Sequence, residues 1–453
     1  MTTYDVVVVG AGTAGCYAAA TVARAGYDVA ILERKTAQEA GHIACGDAIK
    51  GAANFPDAIP KSQIEPAFSN TDVDHGRLEL PSENTQLDIP VPGELAVLDR
   101  WEYGRLLIDG AEQRGVDFHY ETVVQDVLQN NGRITGVTAV NDGSATEYRA
   151  DVVIDGAGAL SLLQDKADFS NATFDTNVNY SQFCSAYREI VEVDEPVEWD
   201  DALVFKPTER AAGYLWYFPR SATEINVGLG FQMSEQPMKL VEALRADLEE
   251  RTEFVNARVT DKLGAALPTR RPYDSAVAPG FLAVGDAAGH VNPTTGGGIA
   301  GAAYAGQYAG EQAIETIESG DVAESALWKY NKRIMEHFGA RYAALDVYNI
   351  FITAYDIDDL TGLLAAVPTQ KFSEALYSGS TSIGPRIALK TLYRSLGHWD
   401  TLFDLYSTKR LADRLLDHYE NYPDSIEGFD AWKIRRDRIM DDIYAASGAD
   451  AKY

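Results

Sequence analysis

Residues 4–34 read YDVVVVGAGTAGCYAAATVARAGYDVAILER, and their pattern indicates the fold of the N-terminal region. An apolar run rich in valine opens it and predicts a strand that is buried on both faces. Three glycines in G-x-G-x-x-G spacing follow, then an alanine-rich helix and a second strand that ends at an acid. The glycines are Gly10, Gly12 and Gly15, the second strand is Val29 to Leu32, and the acid is Glu33. A strand, turn, helix, strand and acid in this order are typical of a Rossmann-like dinucleotide site.

Each part of this stretch has a physical role in binding a dinucleotide. The glycines allow a tight turn, close approach of a pyrophosphate and close packing of the helix against the strand. Ala14 lies in the first helical turn, where unpaired N–H groups and the helix dipole favour phosphates. Glu33 follows Gly15 by 18 residues, near the usual spacing, and would accept hydrogen bonds from the ribose hydroxyls. Glycines that serve only a tight turn are the alternative, but they would require neither the second strand nor the acid.

A second segment, GFLAVGDAAGHVNPTTGGGIAGAAYAG at residues 280–306, indicates which dinucleotide binds. It resembles the second fingerprint of FAD-dependent oxidoreductases. The resemblance implies that Asp286 binds the ribityl chain and that Gly298 and Ile299, at the start of a helix, face the pyrimidine end of the flavin. A reduced flavin carries negative charge there, which a helix N-terminus stabilises. Because the two segments lie some 270 residues apart, we expect a discontinuous FAD-binding domain.

Two further segments fit an FAD site. Arg100 precedes an amphipathic helix in LDRWEYGRLLIDGAEQRGVDFHY, as in FAD enzymes of the hydroxylase–reductase group. By the same resemblance, ETVVQDV supplies a backbone contact to adenine near Val124. For Arg100, an ordinary surface salt bridge is the alternative. The chain departs from many relatives at Ala157-Gly158, where they carry Asp-Gly, and a flavin contact at that point is therefore in doubt.

Residues 211–231, AAGYLWYFPRSATEINVGLGF, carry aromatic residues at alternate positions. On a strand, Tyr214, Trp216 and Phe218 share one face. Three aromatic side chains on one face can be plain core or can line an apolar slot for a long hydrocarbon. The pattern alone favours core.

Together these segments resemble the geranylgeranyl reductase family, particularly its archaeal digeranylgeranylglycerophospholipid reductases. That family carries G-Y-x-W-x-F-P followed by N-V-G-x-G, here Gly213 to Pro219 and Asn226 to Gly230. It also carries a C-G-[ED] segment, here Cys45-Gly46-Asp47, and a segment similar to LPTRRP at 267–272. The resemblance extends to about residue 330. It implies an FAD-dependent reductase that saturates the double bonds of geranylgeranyl chains in archaeal membrane lipid precursors.

The resemblance also assigns roles near the flavin. It implies that Cys45, Gly46 and Ala48 contact FAD, that Cys45 is catalytic, and that Tyr214, Trp216 and Phe218 hold the isoprenoid substrate. Reducing an isolated alkene takes a hydride and a proton, and a thiol with a pKa near 8.5 is mostly protonated at neutral pH. Cys45 could therefore donate the proton, with a bound water as an equal alternative. We expect Asp47 to be exposed, ionised and a positioning acceptor. For Cys45, a small buried hydrophobe is the alternative.

Composition and charge narrow the class of protein. Acidic residues outnumber basic ones by 68 to 39, which gives a net charge of -29 and makes nucleic acid an unsuitable partner. Acid spread along the chain suggests a halophile's surface and stability that depends on salt.

Three cysteines without a C-x-x-C pair predict no metal site and fit a reducing cytoplasm. No leader or long apolar run is present, so we expect a cytoplasmic protein. Because the resemblance implies a membrane-lipid substrate, we also expect this protein to contact the membrane peripherally. The resemblance implies ferredoxin or NAD(P)H as electron donor.

We predict an α/β fold, α+β overall, with a Rossmann-like FAD-binding domain, a β-sheet substrate domain and a helical C-terminal lobe. The expected boundaries are 1–60, 95–165 and 265–330 for FAD, 61–94 and 165–264 for the substrate, and 331–453 for the lobe. Within the lobe, apolar residues recur at i, i+3, i+4 and i+7, which predicts a helix. They are Leu389, Leu392, Tyr393 and Leu396.

Other flavoproteins of this fold remain as alternatives. A flavin monooxygenase or halogenase acting on an apolar substrate is the main one, although a halogenase would carry W-x-W-x-I-P in place of the sequence from Tyr214 to Pro219. An electron-transfer flavoprotein dehydrogenase would carry a cysteine cluster. A lipid carrier that keeps FAD only for stability would leave Cys45 without a use.

Overall fold

In the computed structural model, residues 1–51, 54–80, 85–91, 93–208, 213–233, 236, 238–354 and 399–453 are described. Their strands are β1 (Thr2–Val9), β2 (Val29–Leu32), β3 (Ala48–Lys50), β4 (Phe68–Asn70), β5 (His75–Leu80), β6 (Thr85–Pro90), β7 (Leu95–Leu98), β8 (Asp117–His119), β9 (Val123–Asn130), β10 (Arg133–Asn141), β11 (Ser144–Asp155), β12 (Phe183–Glu192), β13 (Ala202–Pro207), β14 (Gly213–Pro219), β15 (Glu224–Gln232), β16 (Arg258–Pro268), β17 (Val277–Ala278) and β18 (Phe281–Ala283). Their α-helices are α1 (Thr13–Arg24), α2 (Lys61–Ile64), α3 (Arg100–Glu112), α4 (Leu162–Lys166), α5 (Met238–Glu250), α6 (Ile299–Ser319), α7 (Glu324–Ile334), α8 (Ala340–Thr353), α9 (Trp399–Glu420) and α10 (Phe429–Ser447).

The first sheet contains the strands of the nucleotide segment. Its strands run in the order β17-β18-β11-β1-β2-β8, with β10 and β9 attached beside β11. The strands β18, β11, β1, β2 and β8 are parallel. The valines in the middle of β1 are fully buried, as their apolar run predicts. Val9 pairs with both Leu32 and Asp155, so the turns after β1, β2 and β11 meet at one edge of the sheet. That edge is where this fold binds its ligands.

Helices α1 and α6 pack closely on this sheet and bring the two distant segments together. A Cβ on Gly306 would lie 2.2 Å from the carbonyl oxygen of Ala14, and one on Gly310 would lie 2.7 Å from that of Ala18. Only glycine therefore permits this helix–helix distance. The close approach places the start of α1 beside the segment that precedes α6.

The second sheet has seven described strands in the order β16-β12-β15-β14-β13-β5-β6. It is antiparallel except where β13 pairs with β5. One face is covered by α5, whose leucines pack against Leu215 and Tyr217 of β14. The other face carries the alternate residues of β14 and turns toward β3 and β7, two strands of a small third sheet.

The helices after residue 320 pack against the core of the first sheet. Side chains of α7, α8, α9 and α10 all belong to that core. A π-helical turn, Met335–Gly339, joins α7 to α8. The predicted helix around residues 389–396 lies outside the described residues. Among the described helices, none is long and apolar enough to cross a membrane.

The predicted fold class is confirmed: the chain combines a Rossmann-like sheet, a largely antiparallel second sheet and a helical C-terminal region. The strands from 75–90 and from 183–268 share the second sheet. The exact division into three domains stays a prediction.

Candidate functional site

The glycine turn after β1 leaves the start of α1 open to a ligand. Gly10 has a φ of +96°, and a Cβ there would lie 2.6 Å from the carbonyl oxygen of Gly156. A Cβ on Gly15 would lie 2.0 Å from the carbonyl oxygen of Gly10, so packing requires that glycine. Gly12, in contrast, faces space, with Ile43 at 4.0 Å as its nearest neighbour. No side chain caps the helix here, which leaves its first N–H groups available to an anion.

Arg100 supplies a buried positive charge at the same place. Its side chain is 4% exposed, and its nearest acceptors are the carbonyl oxygen of Gly41 at 3.4 Å and Oγ1 of Thr13 at 3.5 Å. Both contacts are near the limit of a hydrogen bond. Within the described part of the chain, no carboxylate forms an ion pair with Arg100. The surface salt bridge considered as an alternative is therefore wrong. Because a buried charge needs a counter-charge, the geometry fits an anionic group such as a pyrophosphate beside Thr13.

Glu33 is fixed at the end of β2, beside the glycine turn. Its Oε2 accepts from the backbone N–H of Ala11 at 2.9 Å, and its Oε1 accepts from that of Lys35 at 2.9 Å. The backbone N–H of Thr122 donates to the carbonyl oxygen of Glu33 at 2.9 Å, which brings the start of β9 and Val124 to this edge. The predicted adenosine end is thus assembled from three separate parts of the chain.

Asp286 lies beside Gly298, at the start of α6. Its Oδ1 is 3.6 Å from where a Cβ on Gly298 would lie, and Gly298 precedes Ile299, the first residue of α6, without a side-chain cap. Burial raises the pKa of Asp286 to about 6, and the positive charge of Arg100 opposes the rise. The carboxylate therefore lies beside an uncapped helix start and within the electrostatic influence of Arg100.

His290 holds the turn around Asp286, and sequence reasoning missed it. Its ring Nδ1 accepts from the backbone N–H of Gly285 at 3.1 Å, and the backbone N–H of His290 donates to the carbonyl oxygen of Gly285 at 3.0 Å. Burial lowers the pKa of His290 to about 3, so the ring is neutral and can accept this bond. Gly285 itself has a φ of +61°. The position of His290, five residues after Gly285 in the second FAD segment, is the sequence feature that could have indicated this role.

The Cys45-Gly46 segment lies against the aromatic strand β14. The side-chain amide of Asn226 donates to the carbonyl oxygen of Cys45 at 2.9 Å and accepts from the indole N–H of Trp216 at 2.9 Å. A Cβ on Gly46 would lie 3.2 Å from the ring of Phe218 and 3.5 Å from the Trp216 nitrogen. The two segments are thus in contact although some 170 residues separate them. Asn226, which pairs with Phe218 across strands β14 and β15, joins the two segments.

The thiol of Cys45 is held in its protonated form. Its Sγ accepts from the backbone N–H of Asp47 at 3.2 Å. Burial, assisted by the negative charge of Asp47, raises the pKa of Cys45 to about 11. At neutral pH the group is a thiol, which can donate a proton but is not a nucleophile.

Asp47 is fully buried, and the expectation that it is exposed is wrong. Its Oδ2 accepts from Nε of Arg220 at 2.8 Å and pairs with Nη2 at 2.7 Å. Burial raises the pKa of Asp47, while Arg220 lowers it. Its Oδ1 accepts no hydrogen bond from the described residues. Asp47 has a φ of +68°, a strained conformation for a residue with a side chain. Arg220 belongs to the turn after β14 and was also missed.

A second ionic contact ties the same segment to the second sheet. Asp261 accepts from Nη1 of the buried Arg188 at 2.6 Å and contacts Nε2 of His42 at 2.8 Å. Arg188 is on β12, Asp261 is on β16 and His42 starts the segment that leads to Cys45. The segment is therefore attached to the sheet at both of its ends.

The three predicted aromatic residues share one face of β14, as alternation predicts. Tyr214, Trp216 and Phe218 form a cluster with Phe205 of β13 and with Ala48, and this cluster is here called the aromatic face. The Trp216 and Phe218 rings are stacked with centroids 6.2 Å apart. The Tyr214 hydroxyl donates to the carbonyl oxygen of Thr295 at 2.8 Å, in the loop before α6. The aromatic face therefore borders both the Cys45 segment and the second FAD segment.

Comparison with known proteins agrees with this geometry. Residues 3–337 match the FAD-binding domain family. The digeranylgeranylglycerophospholipid reductase of Methanothrix thermoacetophila is 31% identical over 397 residues, 86% of this chain and 97% of the relative. A solved geranylgeranyl bacteriochlorophyll reductase-like protein from Thermoplasma acidophilum is 24% identical, with a TM-score of 0.73 over 90% of this chain and all of that one.

A halogenase has the same fold at lower similarity. The flavin-dependent brominase Bmp2 is 17% identical, with a TM-score of 0.63 over 97% of this chain and 99% of its own. Identity at this level establishes a common fold and nothing finer. The FAD match and the reductase relatives confirm the predicted cofactor and family. The chain therefore belongs to the FAD-binding domain family and, within it, to the family of digeranylgeranylglycerophospholipid reductases.

Proposed function

We propose that the protein is an FAD-dependent reductase that saturates the double bonds of geranylgeranyl chains in archaeal membrane lipid precursors. The observation that carries the proposal is the contact of Gly46 with Phe218 and Trp216. It joins a cysteine segment beside the FAD elements to an aromatic face suited to a hydrocarbon. The reductase relatives support the same activity over nearly their whole length.

The residues that would hold FAD come from the first sheet and its turns, from the Cys45 segment with β3, and from the starts of helices α1, α3 and α6. They are Gly10, Gly12, Ala14, Gly15, Glu33, Cys45, Gly46, Ala48, Arg100, Val124, Asp286, Gly298 and Ile299. Arg100 and the start of α1 would neutralise the pyrophosphate, Glu33 would accept from the ribose, and Asp286 would accept from the ribityl chain. Reduced FAD, when bound, supplies a hydride to one carbon of the alkene.

The protein's own residues would supply the proton and the orientation. Tyr214, Trp216 and Phe218 would pack along the isoprenoid chain and keep water away from the reacting bond. The Cys45 thiol would give its proton to the second alkene carbon and would regain one from water. The net change would be two hydrogens added per double bond, one as the hydride and one as the proton from Cys45.

Product analysis under anaerobic conditions tests the proposed reaction. Holoprotein reduced by dithionite is incubated with a geranylgeranyl glycerophospholipid, and the lipid mass is measured. We expect the mass to rise by about 2 Da for each double bond reduced. A flavin monooxygenase or halogenase, the alternative of the same fold, would leave the lipid unchanged without oxygen.

We propose further that the protein is cytoplasmic, contacts the membrane peripherally and takes electrons from ferredoxin or NAD(P)H. Two pairs of apolar side chains support a membrane contact: Leu160 and Leu162 are 61% and 43% exposed, and Val178 and Tyr180 are 41% and 72% exposed. Neutral vesicles should retain the protein in flotation, and Leu160→Ser with Leu162→Ser should reduce the floated fraction several-fold. Failure of the unaltered protein to float at any lipid concentration would contradict the membrane contact.

A further inference from the structure

The loop of residues 292–298, here called the α6 loop, is held together by its own hydrogen bonds. The side-chain oxygen of Asn292 accepts from the backbone N–H of Thr294 at 3.0 Å and of Thr295 at 3.3 Å. The backbone N–H of Asn292 donates to the carbonyl oxygen of Gly297 at 3.0 Å. A loop bonded in this way moves as one unit. Its position relative to the rest of the site therefore depends on its outside attachments.

In the described part of the chain, two side chains attach the α6 loop to other elements, one from the second sheet and one from helix α8. The Tyr214 hydroxyl donates to the carbonyl oxygen of Thr295 at 2.8 Å from the second sheet. The Asn349 amide donates to the carbonyl oxygen of Pro293 at 2.6 Å from helix α8. The same amide also contacts the carbonyl oxygen of Thr269 at 3.3 Å, just after β16. The Asn349 amide thus joins the α6 loop to the end of strand β16 in the second sheet.

Helix α8 supports Asn349 because buried ionic contacts fix the helix at Asp346, about one turn before Asn349. Asp346 is 1% exposed, pairs with Nζ of Lys452 at 2.6 Å and accepts from the hydroxyl of Tyr453. Lys452 also donates to the carbonyl oxygen of Thr269, and its own carbonyl oxygen accepts from the Gln182 amide at 2.9 Å. Residues three apart lie on the same side of a helix, so Asp346 and Asn349 face the same segment.

We propose that Asn349 is a positioning residue for FAD: its amide holds the α6 loop so that Gly298 and the start of α6 meet the flavin. The proposal rests on the FAD site proposed above. Helix α8 lies beyond residues 3–337, the part of the chain that matches the FAD-binding domain family. The helical C-terminal region would thereby contribute to cofactor binding itself, in addition to covering the core.

The test compares FAD binding in Asn349→Ala, Asn349→Asp and a matched control. Thr353→Ala is the control, since Thr353 is on the same helix and, among the described residues, its hydroxyl bonds to the Ile350 carbonyl within that helix alone. FAD is removed from the purified holoproteins, and the Kd for added FAD and the visible spectrum of the bound flavin are measured. We expect both Asn349 variants to bind FAD about tenfold more weakly, with a shifted flavin spectrum, and the control to match the unaltered protein.

The aspartate variant separates positioning from a general loss of stability. A carboxylate facing two carbonyl oxygens repels them, whereas a protonated carboxyl group can donate to one of them. The defect of Asn349→Asp should therefore shrink as pH falls from about 8 to about 5. A defect in Tm alone, with the Kd and flavin spectrum unchanged, would overturn the proposal.

Tyr214→Phe provides a second variant in case the Asn349 variants do not fold. It removes only the hydroxyl that holds the α6 loop from the other side, so a several-fold weaker Kd for FAD is expected. An unchanged Kd in Tyr214→Phe would mean that the attachments of this loop do not set cofactor binding, which overturns the proposal. These measurements use no alkene, so a failure of the proposed reductase activity would leave their result intact.

Discussion

Replacing Cys45 with alanine is expected to leave FAD bound and to slow alkene reduction about a hundredfold or more, the scale of losing a general acid. The reason is the state and the place of the thiol. Its pKa is raised to about 11 by burial and by Asp47, so it carries a proton throughout the neutral range. Its carbonyl is bonded to Asn226, which also holds Trp216, so the group is fixed beside the aromatic face.

The measurement is single-turnover reduction of a geranylgeranyl lipid by the photoreduced holoprotein. Cys45→Ser separates two versions of the role, because a hydroxyl can relay a proton through water but cannot form a thiolate or a disulfide. Activity retained by serine indicates a proton relay or a packing role, whereas equally slow serine and alanine variants indicate that sulfur is required. Cys184→Ala, which removes a buried thiol on β12, is the control. Rates unchanged in both Cys45 variants would make this cysteine structural.

Replacing Asp286 with asparagine is expected to weaken FAD binding about 10- to 100-fold, the scale of a hydrogen bond to a charged group. The same change should stabilise the protein without FAD. Burial raises the pKa of Asp286 from its ordinary value near 4 to about 6, so ionising this carboxyl costs the folded apoprotein free energy above pH 6. The cost should be on the order of 1–3 kcal/mol at pH 8 and should vanish as pH falls below about 4.

Two measurements on the same variant check this account. Apoprotein unfolding at several pH values should show Asp286→Asn more stable than the unaltered chain at pH 8, with the two converging in acid. FAD titration should show the opposite order for binding. Asp165→Asn, which alters an exposed acid on α4, should change neither quantity. Full FAD binding by Asp286→Asn would remove the ribityl role from Asp286.

The parts of the site that sequence predicted are those encoded locally. The G-x-G-x-x-G turn, the strand ending at Leu32 and the shared face of Tyr214 and Trp216 all follow from spacing within about 30 residues. Such spacing indicates the type of secondary structure and the residues that share a face without knowledge of distant contacts. The first sheet and the uncapped start of α1 could therefore be expected from the sequence.

The missed features depend on contacts between distant parts of the chain. Asp47 is buried because it pairs with Arg220, which lies 173 residues away in the sequence. The residues that surround Asp47 in the sequence do not indicate this partner. Asn226 was seen only as part of a family pattern, although it joins Cys45 to Trp216. Asn349 lies in helix α8, whose local sequence carries no motif that indicates a cofactor site. Only the packing of that helix against the α6 loop gives its amide a role.

Anaerobic reoxidation of the reduced holoprotein is a direct test of alkene reduction by the bound flavin. Photoreduced protein is mixed, without oxygen, with a geranylgeranyl glycerophospholipid and, separately, with the fully saturated lipid of the same length. The account predicts that the absorbance of oxidised FAD returns with the unsaturated lipid alone, in proportion to the double bonds lost. Absorbance that stays low with both lipids and returns only when oxygen is admitted would contradict it and favour a monooxygenase or halogenase.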